Sequence, residues 1–140
     1  MAVRSSRWRS RFSRSEHLAL GARGEKLAAR FLRRQGFKIL YRNFRGRQGG
    51  EIDLVCRDGD TLVFVEVKTR THEEFGRPLE AVNLPKQRRL SLGALAWLRL
   101  LGDPDILFRF DIVEVVTSEH APPRLELVRD AFPLAQPYLY

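Results

Sequence analysis

Two short stretches set acids among apolar residues, Ile52-Asp53-Leu54 and Val65-Glu66-Val67-Lys68. Carboxylates held close together repel unless a cation, a lysine or a proton neutralises them. Between the two stretches stands Arg57-Asp58-Gly59-Asp60, and an Asp-Gly pair between alternating runs is a strong hairpin signal. Residues 51–57 and 61–69 are therefore expected to pair as antiparallel strands. Alternation puts Leu62, Phe64, Glu66 and Lys68 on one face, with Val63, Val65 and Val67 on the other. With Asp58-Gly59 as a two-residue turn, paired positions sum to 117, so Asp53 faces Phe64 and Glu51 faces Glu66. Asp53 and Glu66 then form a diagonal pair on one face, with α-carbons roughly 7–8 Å apart. Two carboxylates leaning together across that gap can hold one cation at about 2.0–2.1 Å from each oxygen, the distance magnesium requires. The other arrangement open at this point is a pair of solvent-facing acids, since the three valines already supply one buried face.

The elements that must position these residues follow from periodicity. Leu20, Leu27, Ala28, Phe31 and Leu32 recur at helical spacing between His17 and Gln35, and Gly36 supplies a stop. Glu25 shares a helical face with Ala28, Ala29 and Leu32, from which it can reach over a sheet; a lone helical glutamate is also a common surface residue. Phe37, Ile39 and Tyr41 alternate as in a half-buried strand that ends at the glycine-punctuated stretch 46–50. Thr69 to Val82 reads as a loop. Asn83 then caps a helix from Leu84 to Leu101, with Pro85 tolerated in its first turn and a buried stripe through Leu90, Ala94, Trp97, Leu98 and Leu101. Phe108–Val116 and Leu125–Val128 read as two last strands. The expectation is an α/β fold in the order α-β-β-β-α-β-β, with residues 1–16 a flexible basic arm, 17–130 a single domain and 131–140 a C-terminal tail.

Composition bounds the rest. The chain has 140 residues, 44% of them apolar, and no apolar run approaches the roughly 20 residues that cross a bilayer. No signal-peptide pattern is legible, and the single Cys56 can form neither an intrachain disulfide nor a cysteine-based zinc cluster, so a cytoplasmic, non-membrane protein is expected. Cys56 shares its predicted face with Ile52 and Leu54 and is assigned to the core. His17, His72 and His120 show no metal or nucleophile spacing. The net charge is +8, and 21 of the 25 basic side chains are arginine, the type that forks onto phosphate oxygens. Residues 1–16 hold Arg4, Arg7, Arg9, Arg11 and Arg14 against Glu16 alone. Lys86, Arg88 and Arg89 crowd the start of the second helix, where they oppose the helix dipole unless an anion sits nearby. A nucleic-acid phosphate is the expected anion, with side chains simply reaching into solvent the equal alternative for Arg88 and Arg89.

Taken together, Gly24-Glu25, Gly36-Phe37, Arg42-Asn43, Gly50-Glu51-Ile52-Asp53, Phe64-Val65-Glu66-Val67-Lys68-Thr69-Arg70, Pro78-Leu79-Glu80-Ala81-Val82, Lys86 and Arg109-Phe110-Asp111 resemble the YraN family of small bacterial predicted endonucleases. That family is similar to archaeal Holliday junction resolvases and belongs to the PD-(D/E)xK nuclease-like superfamily. The resemblance covers roughly residues 17–117. It implies a restriction-endonuclease-like core, with a mixed sheet flanked by helices, and cleavage of DNA dependent on Mg2+, with Mn2+ as a substitute. It maps the motif onto Asp53 and Glu66-Val67-Lys68, with Glu25 as an accessory acid and metal ligand. Ile52 stands where the superfamily's name has proline. A homodimer is implied too, because symmetric cutting of two strands takes two sites.

Three functions remain open on these grounds. The first is a metal-dependent endonuclease on branched or structured DNA, with Asp53, Glu66 and Glu25 at the metal, Lys68 at the reacting phosphate, and Lys86, Arg88, Arg89, Arg70 and the arm's arginines on the backbone. The second is a catalytically silent nucleic-acid-binding module on the same fold. The third is a protein-interaction partner whose basic arm docks acidic surfaces.

Overall fold

The computed structural model describes residues 13–72 and 82–140. The arm's Arg4, Arg7, Arg9 and Arg11, and the stretch from Pro78 to Ala81, lie outside the described residues. Seven elements follow in the expected order: α1 (Arg14–Arg34), β1 (Lys38–Arg45), β2 (Glu51–Asp58), β3 (Thr61–Thr71), α2 (Leu84–Leu100), β4 (Phe108–Thr117) and β5 (Arg124–Phe132). Helix α1 starts three residues earlier than periodicity suggests. Ser13 caps it, and Glu16 returns to the Ser13 backbone in a capping box, so Arg14 and Glu16 belong to the helix and not to an arm. Both helices end on a glycine with positive φ. Phe37 N–H bonds to the Leu32 carbonyl and Gly36 N–H to that of Arg33, a turn that drops Phe37 back onto the α1 side of the core.

The strands form one sheet in the order β1-β2-β3-β4-β5, antiparallel throughout except for the parallel pair β3 and β4. Ala28, Ala29 and Leu32 of α1 pack with Leu54, Cys56, Val63, Val65, Val113 and Val115 on one face. On the other, Leu90, Ala94 and Leu98 of α2 pack with Ile52, Val55, Phe64 and Phe110. Cys56 is fully buried, and that burial, with the Asp111 charge nearby, pushes its thiol up to about 12, so it is an inert core residue.

The β2–β3 register differs from expectation. Cys56 pairs with Val63 and Leu54 with Val65, sums of 119, so the turn is Gly59-Asp60 and not Asp58-Gly59. Asp58 stays in the strand because Arg109 and Arg129 hold its carboxylate, and Gly59 takes the positive φ of 59° that opens the turn. A slip of two residues preserves which face each side chain takes but changes who stands opposite whom. Two faces do change. A bulge between Ile39 and Tyr41 leaves Ile39 with the α1 cluster while Tyr41 packs edge-on against Phe44 and tilts against Trp97. Likewise Ile52 joins the α2 cluster and parts from Leu54 and Cys56, because β2 leaves regular pairing at Asp53.

The C-terminal residues pack onto the sheet and α2. Strand β5 runs on to Phe132, which stacks on Phe110, and Ala135 N–H donates to the buried Ser91 hydroxyl at 2.9 Å. Tyr140 then packs edge-on against Phe108.

A charged latch centred on the buried Asp111 ties β2, β4 and β5 together. Asp111, with none of its surface exposed, accepts from Arg109 Nε at 2.9 Å and from the Asp130 backbone N–H at 2.9 Å. Arg109 also reaches Asp58 Oδ2 at 2.8 Å, and Arg129 donates to the same oxygen at 2.9 Å. Both guanidinium groups sit over the Phe37 ring, at 5.7 and 5.3 Å from its centroid. This network holds the Asp58 carboxyl below its ordinary range, the Arg109 hydrogen bond being the main cause.

Candidate metal-binding acidic site

Glu66 lies on the central strand, two residues beyond Phe64, and is only 5% exposed. Its Oε1 is 3.9 Å from Lys68 Nζ and 3.3 Å from Lys86 Nζ. Its Oε2 is buried and makes no hydrogen bond. Burial first, and the Asp53 carboxylate second, push the Glu66 carboxyl up to about 7, against the partial opposition of Lys86 and Lys68. Asp53 reaches it from β2, where the last regular β2–β3 pair is Leu54 with Val65. Beyond that pair the Asp53 side chain takes over the role of a strand carbonyl, its Oδ2 accepting Val67 N–H at 2.8 Å. The residue that interrupts the ladder is thus the one that anchors the acid next to Glu66.

Close backbone approach brings α2 to the same place. A Cβ on Gly50 would run into the Gly93 backbone, and Gly50 also takes a positive φ of 84°, so only glycine lets α2 lie this near β2. The start of α2 then overhangs the acids. Lys86 Nζ is 3.6 Å and Arg89 Nη1 3.7 Å from Glu51 Oε1. The anions that answer the basic first turn of α2 are therefore protein carboxylates, Glu51 and Glu66. Arg88 points elsewhere, its Nε donating to the Gln136 carbonyl at 3.4 Å. Arg70 forms an ion pair with the buried Glu114 of β4.

Glu25 stands on the α1 side. Burial and the Asp53 charge raise its carboxyl above the ordinary range, and the Asn43 amide and Arg42 oppose the shift. Thr69 seats against Gly24, where a Cβ would overlap its hydroxyl, so α1 rides directly on β3 beside the site. The Asp53 charge therefore acts on both Glu25 and Glu66. Even so, among the described residues no three His, Cys, Asp or Glu side chains gather closely enough to hold a metal ion together. The structure assembles Asp53, Glu66, Lys68 and Lys86, and leaves Glu25 one step away. The sequence signal that could have tied Lys86 to Glu66 was the acid-free first turn of α2.

The donor set fits a hard divalent cation. Two neighbouring carboxylates, one with an orphaned buried oxygen, offer the hard oxygen ligands that magnesium and manganese prefer, and magnesium is commonly held by one or two carboxylates with water and phosphate completing its shell.

A five-stranded mixed sheet with a helix on each face, carrying an acidic pair and Lys68 on its middle strands with Lys86 overhanging from α2, defines a small α/β protein of the restriction-endonuclease-like class. Residues 24–115 match the family described as "Uncharacterised protein family UPF0102", and the chain belongs to that family, the YraN group whose motifs it carries. It is 50% identical over 118 residues to a UPF0102 protein of Rhodococcus jostii, covering 84% of this chain and 99% of that one. Similarity to a UPF0102 protein of Geobacter sulfurreducens is 51% over 116 residues, or 83% and 90% of the two chains. For the UPF0102 protein of Symbiobacterium thermophilum the identity is 47% over 113 residues, 81% and 95% of the two chains.

Proposed function

We propose that this protein is a cytoplasmic, magnesium-dependent endonuclease that hydrolyses phosphodiester bonds in branched or otherwise structured DNA. The observation that carries the reading is Glu66: a carboxyl group buried on a central strand, with one oxygen that no N–H reaches and a second acid as its close neighbour, so that only a shared proton or a cation neutralises the pair beside the two lysines. Leaving such a group unpaired costs a fold roughly 1–3 kcal/mol or more, a cost that a bound cation removes. Asp53 and Glu66 would hold magnesium or, in its place, manganese. Bound there, the ion supplies a Lewis acid for the scissile phosphate and a water of lowered pKa.

The chain's own groups divide the remaining work. Lys68 and Lys86 set two ammonium groups at the rim of Glu66, where a phosphate gathering negative charge is stabilised. Glu25, whose carboxyl is already biased towards holding a proton, is placed to take one up beside Asp53. Arg89 joins Lys86 as a phosphate contact once DNA displaces their hold on Glu51.

The catalytically silent reading has one observation in its favour, namely that Glu25 does not close a three-acid cluster. Cleavage separates the two. Labelled single-stranded, duplex, flap and four-way-junction DNA should be cut in magnesium or manganese and left intact in chelator, with Asp53→Ala inactive. Intact DNA under every metal condition, with binding retained, would establish the silent module instead.

A further inference from the structure

We propose that the edge strand β1 and the C-terminal half of α1 form the track along which the DNA backbone reaches the acidic site. This rests on DNA being the partner, but not on cleavage. Residues 26–50 contain eight Lys and Arg and no Asp or Glu. The chain's net charge is +8, so this one segment carries all of it and everything else sums to zero. All eight cations are exposed, among them Lys26, Arg30 and Arg34 on α1 and Lys38, Arg42 and Arg45 on β1. None of the eight makes an ion pair with an acid among the described residues.

Two features separate this from an ordinary solvated surface. The opposite sheet edge is balanced, since β5 sets Arg124 and Arg129 against Glu126 and Asp130, and Arg129 is engaged in the latch. Cations gathered on one edge only repel one another, an arrangement relieved by a polyanion. The track also leads to the acids. Arg42 pairs with Leu54 and Phe44 with Ile52, so Asn43 of β1 lies beside Asp53, and a single strand separates Asp53 from the sheet edge. That separation is about 4.8 Å. From Lys38 to Arg45 the strand spans roughly 23 Å at about 3.3 Å per residue, enough to run beside about seven nucleotides of one DNA strand.

The test uses the full chain in chelator, so that binding is read without cutting. Anisotropy of labelled four-way-junction and duplex DNA is followed from about 50 to 200 mM salt for wild type, for the combined variant Arg30→Gln, Arg34→Gln, Lys38→Gln and Arg45→Gln, and for Arg99→Gln on the exposed side of α2. Each lost phosphate contact removes about 0.9 from the log-log salt slope, so the fourfold variant should lose about 3 to 4 from it. Arg99→Gln should match wild type, and melting curves should show the fourfold variant folded. A slope equal to wild type in the fourfold variant overturns the track. So does wild type that binds phosphatidylserine vesicles but not DNA, which would make the same cations a membrane surface. If the fourfold variant loses its slope while no metal condition yields cleavage, the track stands and the endonuclease reading falls.

Discussion

Two charged clusters, each centred on a buried acid, sit on one sheet and are built to opposite standards. At the latch, Asp111 accepts from Arg109 and from the Asp130 backbone, and Asp58 receives two guanidinium groups. At the acidic site, Glu66 is nearly as deeply buried, yet one oxygen has no donor, its nearest ammonium groups stand at 3.3 and 3.9 Å, and its neighbour is another carboxylate. A network whose members are all paired holds a fold in one arrangement, whereas a partly satisfied one is costly and persists at sites kept for a ligand. The contrast sets the Arg109-Phe110-Asp111 motif, whose charges are paired within the protein, apart from Glu66, whose charge is not.

The latch should give the largest effect. Asp111→Ala leaves Arg109 with its principal partner removed and should destabilise the fold by about 3–5 kcal/mol in chemical denaturation. A loss below about 1 kcal/mol would place the latch among ordinary surface pairs and dissolve the contrast.

Glu66→Gln should act in the opposite direction. The Glu66 carboxyl titrates near 7 in the folded protein and near its ordinary value of 4.5 when unfolded, so the folded state binds the extra proton between these values. Wild-type stability in metal-free buffer therefore falls as pH rises from about 4.5 to about 7. The glutamine variant lacks that decline. It should come closest to wild type near pH 4, below the unfolded value, and exceed it by roughly 2–3 kcal/mol near pH 8, while losing divalent-dependent cleavage and any magnesium-induced rise in melting temperature. Parallel stability curves for the two proteins would show that Glu66 is not strained.

Smaller effects should rank the two lysines. Lys86→Met removes the nearer ammonium and should shift the Glu66 transition further up in pH, costing about 1 kcal/mol above neutrality. Lys68→Met removes a more distant and more exposed group and should shift it less. Equal shifts would mean that distance to Glu66 does not govern its protonation.

Much of this was legible beforehand, and the failures share a cause. Element order, the two apolar faces and the meeting of Asp53 with Glu66 all follow from periodicity, which fixes side-chain parity. Periodicity does not fix register: the turn lies one residue beyond the position that alternation suggests, because Asp58 is held by Arg109 and Arg129, far away in the chain. Long-range partners also explain why residues 131–140 read as a tail and why the contact of Lys86 with Glu66 leaves no mark on the sequence pattern. The bulge near Leu40 and the break at Asp53 leave no mark on an apolar pattern that continues through both.

The sheet order repeats the chain order, and this bears on synthesis. As the polypeptide leaves the ribosome, β1, β2 and β3 can fold as a local meander. Strand β3, the most apolar of the three, is then an open edge until Phe108–Thr117 arrives to pair with it. An unpaired apolar edge is a template for aggregation. Nascent chains halted before β4 should accordingly be the aggregation-prone species, and chains released after β5 the soluble ones.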